Sequence, residues 1–336
     1  MDRRIDENSG AEVHGAQVHG ALVHGAPVQG APVHAARSTL HPARSTLHPA
    51  RGTLHLLRTY ASFVRISHSV FALPFALAGA LLAAQQSPLT LRTVIWILVA
   101  MVGARSAAMG FNRLVDARID ALNPRTANRE LPRGAMTARE ATAFVTIASA
   151  VFVVAAWQLN PICFALSPVA LAIVFWYSLA KRYTTWTQLF LGLAMAVAPV
   201  GGWLAVGGRG GWQPWLLALA IGTWVGGFDV LYACQDLDFD RAHGLRSIPV
   251  RFGVRQSLAI SRCMHVVAVL CLAALGVVTT LGPIYFGGVA IVAALLVYEQ
   301  SLVSAEDLSQ VKRAFDLNGY VGILYLLILV VALYAR

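Results

Sequence analysis

The sequence has few charged residues. Asp, Glu, Lys and Arg together make up 12% of its 336 residues, and only 16 residues are acidic. In a typical soluble domain about a quarter of the residues are charged. Hydrophobic residues account for 57% of this chain. The composition therefore excludes an ordinary soluble globular domain and predicts a polytopic membrane protein.

Cysteine is also scarce. The four cysteines are Cys163, Cys234, Cys263 and Cys271, and no two of them have the spacing of a CxxC motif. Cysteine ligands of structural zinc sites usually come in such closely spaced pairs, and small disulfide frameworks need a much higher cysteine density. We interpret these residues as reduced thiols that pack among apolar helices.

The first part of the chain is repetitive. Units resembling GAxVHGA give way to ARSTLHP, which begins at Ala36 and again at Ala43. This part holds seven of the ten histidines, which follow the repeat period, so we favour simple repetition over metal binding. It has no continuous apolar core typical of a signal peptide. Residues 1–58 are predicted to form a disordered tail and residues 59–336 a transmembrane domain.

Beyond the tail, nine apolar stretches are long enough to cross a bilayer, which takes roughly 20 helical residues. Alternate links between them are basic, so the positive-inside rule places the N-terminus and these links in the cytoplasm. The expected location is the inner (plasma) membrane of a bacterial-type cell. Because topology explains the basic residues, we expect no nucleic-acid partner. The predicted spans are 66–85, 92–113, 140–158, 161–179, 187–206, 214–234, 256–278, 281–299 and 317–335.

Polar residues follow the second apolar stretch at helical spacing. Asn112, Asp116 and Asp120 recur every four residues, so on a helix they share one face. A similar stripe follows the sixth stretch, where Asp229 precedes Asp236 by seven residues. Asp240 follows after four more and completes this second stripe. Both stripes lie at cytoplasmic helix ends, which suggests one shared metal site.

The residues around these stripes indicate the ligand. Carboxylates that hold a divalent cation beside a phosphate usually bind Mg²⁺, which takes its remaining ligands from water and phosphate oxygens. Arg125 and Arg129 follow the first stripe, while Tyr177 and Lys181 stand four residues apart at the end of the fourth stretch. Arginine forks and lysine ammonium groups both suit a diphosphate. We therefore predict a site for Mg²⁺ and a diphosphate.

Four segments together resemble the UbiA superfamily of intramembrane aromatic prenyltransferases. The runs FNRLVDARIDALNPRTANRELPRG (111–134) and DVLYACQDLDFDR (229–241) are similar to its two aspartate-rich motifs. The segment FVRISHSVFALPFA (63–76) and the pair Tyr177 and Lys181 also match. The resemblance covers about residues 60 to 336, and the 4-hydroxybenzoate polyprenyltransferase group is the most similar branch.

This resemblance implies an all-α fold of nine transmembrane helices around a central cavity. Mg²⁺ and a polyprenyl diphosphate would lie between the two motifs, and the prenyl tail would reach membrane lipid. Arg65 lies in the matching N-terminal segment, and Asp229 would lie deeper, near the aromatic acceptor. The residues expected to bind the metal are Asn112, Asp116, Asp120, Asp236 and Asp240. Those expected to bind or flank the diphosphate are Arg125, Arg129, Tyr177 and Lys181, and those expected to be catalytic are Asp116, Asp229, Asp236 and Lys181.

Several functions stay open at this point. The NPRT form of the first motif favours 4-hydroxybenzoate as acceptor, whereas the YACQ form of the second resembles proteins of the futalosine route to menaquinone. A dihydroxynaphthoate and a haem vinyl group are further candidate acceptors. A divalent-cation transporter could also use intramembrane acids. Transporter sites usually lie near the midplane, however, and these acids are at helix ends on one side.

Overall fold

The computed structural model describes residues 59–60, 62–63 and 72–335. Over these residues the fold is all-α, without strands, as predicted. Eight of the helices are long and apolar enough to cross a membrane. The helices are α1 (Leu73–Ala83), α2 (Leu91–Leu122), α3 (Ala138–Leu159), α4 (Pro161–Tyr183), α5 (Thr187–Ala205), α6 (Gln213–Ala233), α7 (Leu237–Ala242), α8 (Ile248–Val278), α9 (Pro283–Ser301) and α10 (Val311–Tyr334).

The nine predicted spans correspond to nine of these helices, the exception being the short α7. The first span was predicted over 66–85, and its described part is α1, with 11 residues. Residues 64–71, which include Arg65, lie outside the described part of the chain, as does the predicted tail. The predicted spans leave only short links after residues 158 and 278, and the structure confirms both, since only Asn160 separates α3 from α4 and four residues separate α8 from α9.

Local sequence signals explain the helix ends around the polar segments. The Thr90 side chain caps the start of α2, and α2 ends at Leu122 because Asn123 precedes a proline. Thr137 and Glu140 form a reciprocal capping box at the start of α3. The segment between α2 and α3 is therefore held at both ends by well-defined helix termini.

Two helices are longer than their apolar stretches. Helix α2 continues nine residues past the predicted end at 113, so the whole first stripe lies on one unbroken helix. Helix α8 begins at Ile248 rather than 256, after a cap from the Ser247 side chain. It bends at Gly253, whose φ of 76° is accessible to glycine at little cost. A prediction from apolar content alone makes these helices too short, because the additional helical turns contain charged residues.

The second acidic segment is less regular than predicted. Helix α6 ends at Ala233, a 3-10 turn covers Cys234–Asp236, and the six-residue α7 follows. Asp229, Asp236 and Asp240 therefore do not share a single continuous helix. The spacings of seven and four residues predict one face only if the helix is unbroken.

The helices pack closely around a core of aromatic and aliphatic side chains. A Cβ atom on Gly192 of α5 would lie 2.2 Å from the carbonyl oxygen of Gly222 on α6, so only glycine permits this approach. Phe75 and Trp224 make an edge-to-face contact in the main core cluster. Many large apolar side chains, such as Trp157 and Leu270, face outward. Outward apolar surface on long apolar helices identifies an integral membrane protein.

Candidate active site

The first acidic stripe lies where the C-terminal end of α2 meets α4. Asp116 and Asp120 are almost fully buried, with 2% and 5% of their surfaces exposed. The side-chain amide of Asn112 donates to Oδ2 of Asp116 over 3.3 Å. Buried carboxylates require charged or hydrogen-bonding partners. The partners of this stripe come from α4 and from the loop that follows α2.

Two adjacent cations of α4 pair with Asp116. Lys181 Nζ lies 2.6 Å from Oδ2, and Arg182 Nη2 lies 2.8 Å from Oδ1. Arg182 also donates to the main-chain oxygens of Val115 and Ser178. Lys181, which was predicted to bind the diphosphate, therefore lies beside the first acidic stripe. Arg182 is one of the basic residues at the end of the fourth apolar stretch that topology alone explained in the sequence.

The loop after α2 connects the first acidic segment with the second. The guanidinium of Arg125 makes a bidentate contact with Asp236, at 2.6 Å and 3.2 Å. It also donates to the Tyr232 hydroxyl and lies 5.6 Å from the centre of that ring. Two regions more than one hundred residues apart in sequence are therefore joined at one end of the helix bundle.

The same loop is anchored beneath by a second set of ion pairs. Arg129 Nη1 lies 2.7 Å from Oδ2 of Asp120. A buried pair joins Arg113 of α2 to Glu130, with 2.5 Å between Nη1 and Oε2. The hydroxyl of Ser62 donates to the other oxygen of Glu130. These contacts fix the loop that carries Arg125.

The remaining predicted acids lie near this cluster. Asp240 interacts electrostatically with Asp236, Lys181 and Arg125. Asp229 interacts with Asp236, and it also interacts with Tyr177 on α4. The structure thus brings the two acidic segments together, although they differ in regularity.

An apolar cavity of about 720 Å³ extends from this cluster between the helices. Tyr177 lines it and interacts electrostatically with Asp116, so the cavity adjoins the charged cluster. Its other lining side chains are almost all apolar, including Ala100, Ala198 and Leu171. The cavity can therefore hold a long hydrocarbon away from water.

Arg105 is a charged residue inside this apolar cavity. It lies on α2, lines the cavity, and its Nε is buried without a hydrogen-bond partner among the described residues. An intramembrane arginine is costly and usually marks a ligand or ion site. Arg105 was not predicted as a site residue. The signal in the sequence was an arginine within the second apolar stretch, two helical turns before Asn112.

The carboxylate and amide oxygens of the two acidic segments suit a hard divalent cation, although in this structure the carboxylates form ion pairs with arginine and lysine. Carboxylate and amide oxygens are the protein ligands that Mg²⁺ prefers. Among the described residues no group of three His, Cys, Asp or Glu side chains is gathered closely enough to hold a metal ion. Asp116, Asp120 and Asp236 instead each hold an arginine or lysine. Those cations have the chemistry to bind a diphosphate, which would free carboxylate oxygens for a metal.

Comparison with known proteins identifies this arrangement. The sequence profile of the UbiA prenyltransferase family matches residues 72–330. The chain belongs to the UbiA prenyltransferase family. Both acidic segments and the cavity lie within the matched range. This membership makes the protein a membrane-embedded prenyltransferase and sets aside the ion-transporter hypothesis.

Individual relatives agree with the family match. The chain is 31% identical over 251 residues to the 4-hydroxybenzoate octaprenyltransferase of Vibrio campbellii, covering 75% of this chain and 88% of the relative. It is 34% identical over 241 residues to the enzyme of the same name from Aromatoleum aromaticum, covering 72% and 82%.

Solved structures support the fold. A UbiA homologue from Aeropyrum pernix K1, in its apo form, has a TM-score of 0.73 and 38% identity, covering 79% of this chain and 98% of its own. A UbiA homologue from Archaeoglobus fulgidus, bound to GPP and Mg²⁺, has a TM-score of 0.63, covering 81% and 99%. The second is only 19% identical, so it supports the fold alone.

Proposed function

We propose that this prenyltransferase moves a polyprenyl group from polyprenyl diphosphate to 4-hydroxybenzoate, with Mg²⁺ as cofactor, in quinone biosynthesis. One observation carries the proposal: two acidic segments, which form ion pairs with Arg125 and Lys181, meet beside an apolar cavity that Tyr177 lines. The relatives named as 4-hydroxybenzoate octaprenyltransferases support the choice of acceptor. The A. fulgidus homologue with GPP and Mg²⁺ supports the choice of donor and metal.

The charged cluster would bind the donor's headgroup. Mg²⁺ would neutralise charge on the departing diphosphate when held by oxygens of Asn112, Asp116, Asp120, Asp236 and Asp240. Lys181 and Arg125 would stabilise the same charge as the allylic C–O bond breaks. Arg129 flanks this position through its contact with Asp120. Arg65 remains a candidate for the same role.

The cavity would hold the prenyl chain and exclude water. A carbocation formed at the allylic carbon must be kept from hydrolysis, and the apolar lining serves that purpose. Tyr177 presents an aromatic ring where the cavity meets the charged cluster, and its negative face would stabilise a cation. The ring proton of the acceptor would leave to the released diphosphate or to Asp229.

Arg105 would bind the acceptor's carboxylate. Its guanidinium is a cationic group among apolar cavity walls, and its buried Nε has no hydrogen-bond partner in the described part of the chain. A guanidinium binds a carboxylate through two parallel hydrogen bonds, which would also fix the orientation of the ring. A 6-amino-6-deoxyfutalosine-type acceptor carries a benzoate as well, so the YACQ form of the second motif keeps it as the second candidate.

The basic links support an orientation of the protein in the membrane, and the range of the family match supports the domain limits. The helix ends near the charged cluster carry the basic links, which supports a cytoplasmic active site in the inner membrane. The family match starts at residue 72, which supports a tail over residues 1–58 that is separate from the transmembrane domain.

A prenyl-transfer assay on membranes that contain the protein tests this proposal. Long-chain polyprenyl diphosphate and Mg²⁺ are supplied with 4-hydroxybenzoate or with a 6-amino-6-deoxyfutalosine-type acceptor. We expect product from 4-hydroxybenzoate, and we expect Arg105→Met to raise the KM for this acceptor more than the KM for the donor. Product from the futalosine derivative alone would change the acceptor, and no product from either would reject both.

A further inference from the structure

Two neighbouring cations share one buried carboxylate at the end of α4. Lys181 and Arg182 contact opposite oxygens of Asp116, whose side chain is 3% exposed. Asp240 also interacts with Lys181, so two carboxylates balance these two cations. An anionic ligand would take the place of a carboxylate at one of the cations, and the other contacts of each cation decide which one turns to the ligand.

The two cations differ in how firmly they are held. Arg182 donates to Asp116 and to two main-chain oxygens, that of Val115 over 2.8 Å and that of Ser178 over 3.1 Å. Val115 lies on α2, whereas Ser178 lies on α4, the helix of Arg182 itself. Arg182 therefore cannot leave without breaking a hydrogen bond that joins α4 to α2. Because main-chain oxygens within a helix are fixed in place, these hydrogen bonds would be lost if the Arg182 side chain moved.

Lys181 is held more loosely. An ammonium group has three donor hydrogens. Over the described stretches of chain, the Lys181 ammonium makes one hydrogen bond, to Oδ2 of Asp116. About a quarter of each cation's side chain is exposed, so exposure does not distinguish the two, and Lys181 stands four residues after Tyr177, which lines the cavity. Lys181 can reorient at the cost of its hydrogen bond to Asp116 and its electrostatic interaction with Asp240, without leaving any main-chain acceptor of its ammonium among the described residues.

From this asymmetry we infer that Arg182 is a positioning residue that holds Asp116 while Lys181, which the proposed function assigns to the diphosphate, leaves that carboxylate for the substrate. The inference rests on the proposed function. When Lys181 leaves, Arg182 keeps Oδ1 of Asp116 fixed, and Oδ2, which still accepts from the Asn112 amide, loses its cationic partner and can face the ligand. The resemblance already assigned Lys181 to the diphosphate, whereas the role of Arg182 could not be predicted from sequence, because its contacts with Val115 and Asp116 join two separate helices.

The test compares Lys181→Gln with Arg182→Lys in purified protein. Binding of geranyl S-thiolodiphosphate, a slowly reacting donor analogue, is measured by calorimetry at fixed Mg²⁺, and kcat and the KM for donor are measured separately. We expect Lys181→Gln to weaken analogue binding about tenfold or more, because a charged hydrogen bond to the diphosphate is lost. We expect Arg182→Lys to change that affinity less than about threefold while lowering kcat about tenfold.

Two further measurements separate positioning from a general structural defect. In an Asp116→Asn background, Arg182→Lys should lower kcat by less than about twofold further, because a positioning residue acts through its partner. Arg251→Lys, an exposed change on α8, is the matched control and should leave binding and turnover unchanged. Thermal unfolding of each variant without ligand identifies loss of the fold.

The outcomes are distinguishable. Equal losses of analogue affinity in Lys181→Gln and Arg182→Lys would overturn the inference and leave the proposed function standing. A full further loss from Arg182→Lys in the Asp116→Asn background would also overturn it. An absence of analogue binding in the wild-type protein would overturn the proposed function and the exchange of Lys181 together.

Discussion

The two acidic motifs are built in different ways. The first lies on one unbroken helix of 32 residues, and its Asp116 and Asp120 are buried and paired with cations. The second spans a helix end, a 3-10 turn and a six-residue helix, and its Asp236 is partly exposed. The first motif is thus preorganised by the bundle, whereas the second is held mainly through Arg125. We therefore expect substitutions in the first motif to lower both turnover and stability, and substitutions in the second motif to lower turnover alone.

The largest effect is expected from Asp116→Asn. The change leaves Lys181 and Arg182 without their shared charge, and we expect turnover to fall by about 10² or more. Breaking a buried ion pair is also strongly destabilising, so the thermal unfolding midpoint should fall. Initial rates and thermal unfolding in detergent measure both. Asp316→Asn, an exposed acid on α10, is the control, and unchanged turnover in Asp116→Asn would contradict the metal-binding role of this stripe.

Asp236→Asn should lower turnover comparably but spare stability. Its partner Arg125 is 41% exposed, and a solvent-exposed pair contributes only about 1 kcal/mol or less. The same two measurements apply, with Asp238→Asn as an exposed control in the same motif. If Asp236→Asn lowers the unfolding midpoint as far as Asp116→Asn does, the two motifs are equally preorganised, and the difference between them described above is wrong.

Glu130→Gln tests the anchoring of the loop between the motifs. The buried Arg113 would lose its ion pair with Glu130, and we expect a stability loss of about 3 kcal/mol with a smaller loss of turnover. Glu306→Gln, an exposed change, serves as control. Replacing both Arg113 and Glu130 by apolar residues should recover part of the lost stability. A single variant as stable as wild type would mean that the loop is anchored elsewhere.

Ala198→Phe should have the smallest effect on overall activity, and it addresses the cavity rather than the motifs. A phenyl ring at this lining position would shorten the space for the prenyl chain. We expect about a tenfold loss of kcat/KM with long-chain donors and little change with geranyl diphosphate. Val154→Phe, on the outward face of α3, is the matched control. An equal loss with both donors would place the prenyl chain elsewhere.

The sequence determined the membrane class and the all-α fold, and it identified the two acidic segments and the cations that would share a site with them. Low charge and long apolar runs leave no other stable arrangement, because backbone polar groups in lipid must be satisfied within helices. The four-residue spacing of Asn112, Asp116 and Asp120 also carried over directly, since α2 is continuous.

Only the tertiary structure decided which partner each charged group takes. Arg125 reaches Asp236, 111 residues away, and Arg182 bridges α2 and α4, but neither contact has a local pattern in the sequence. The break at Cys234–Asp236 and the place of Arg105 in the cavity likewise depend on neighbouring helices. Periodicity acts within a helix, whereas ion pairs and cavities depend on how separate helices are packed against one another.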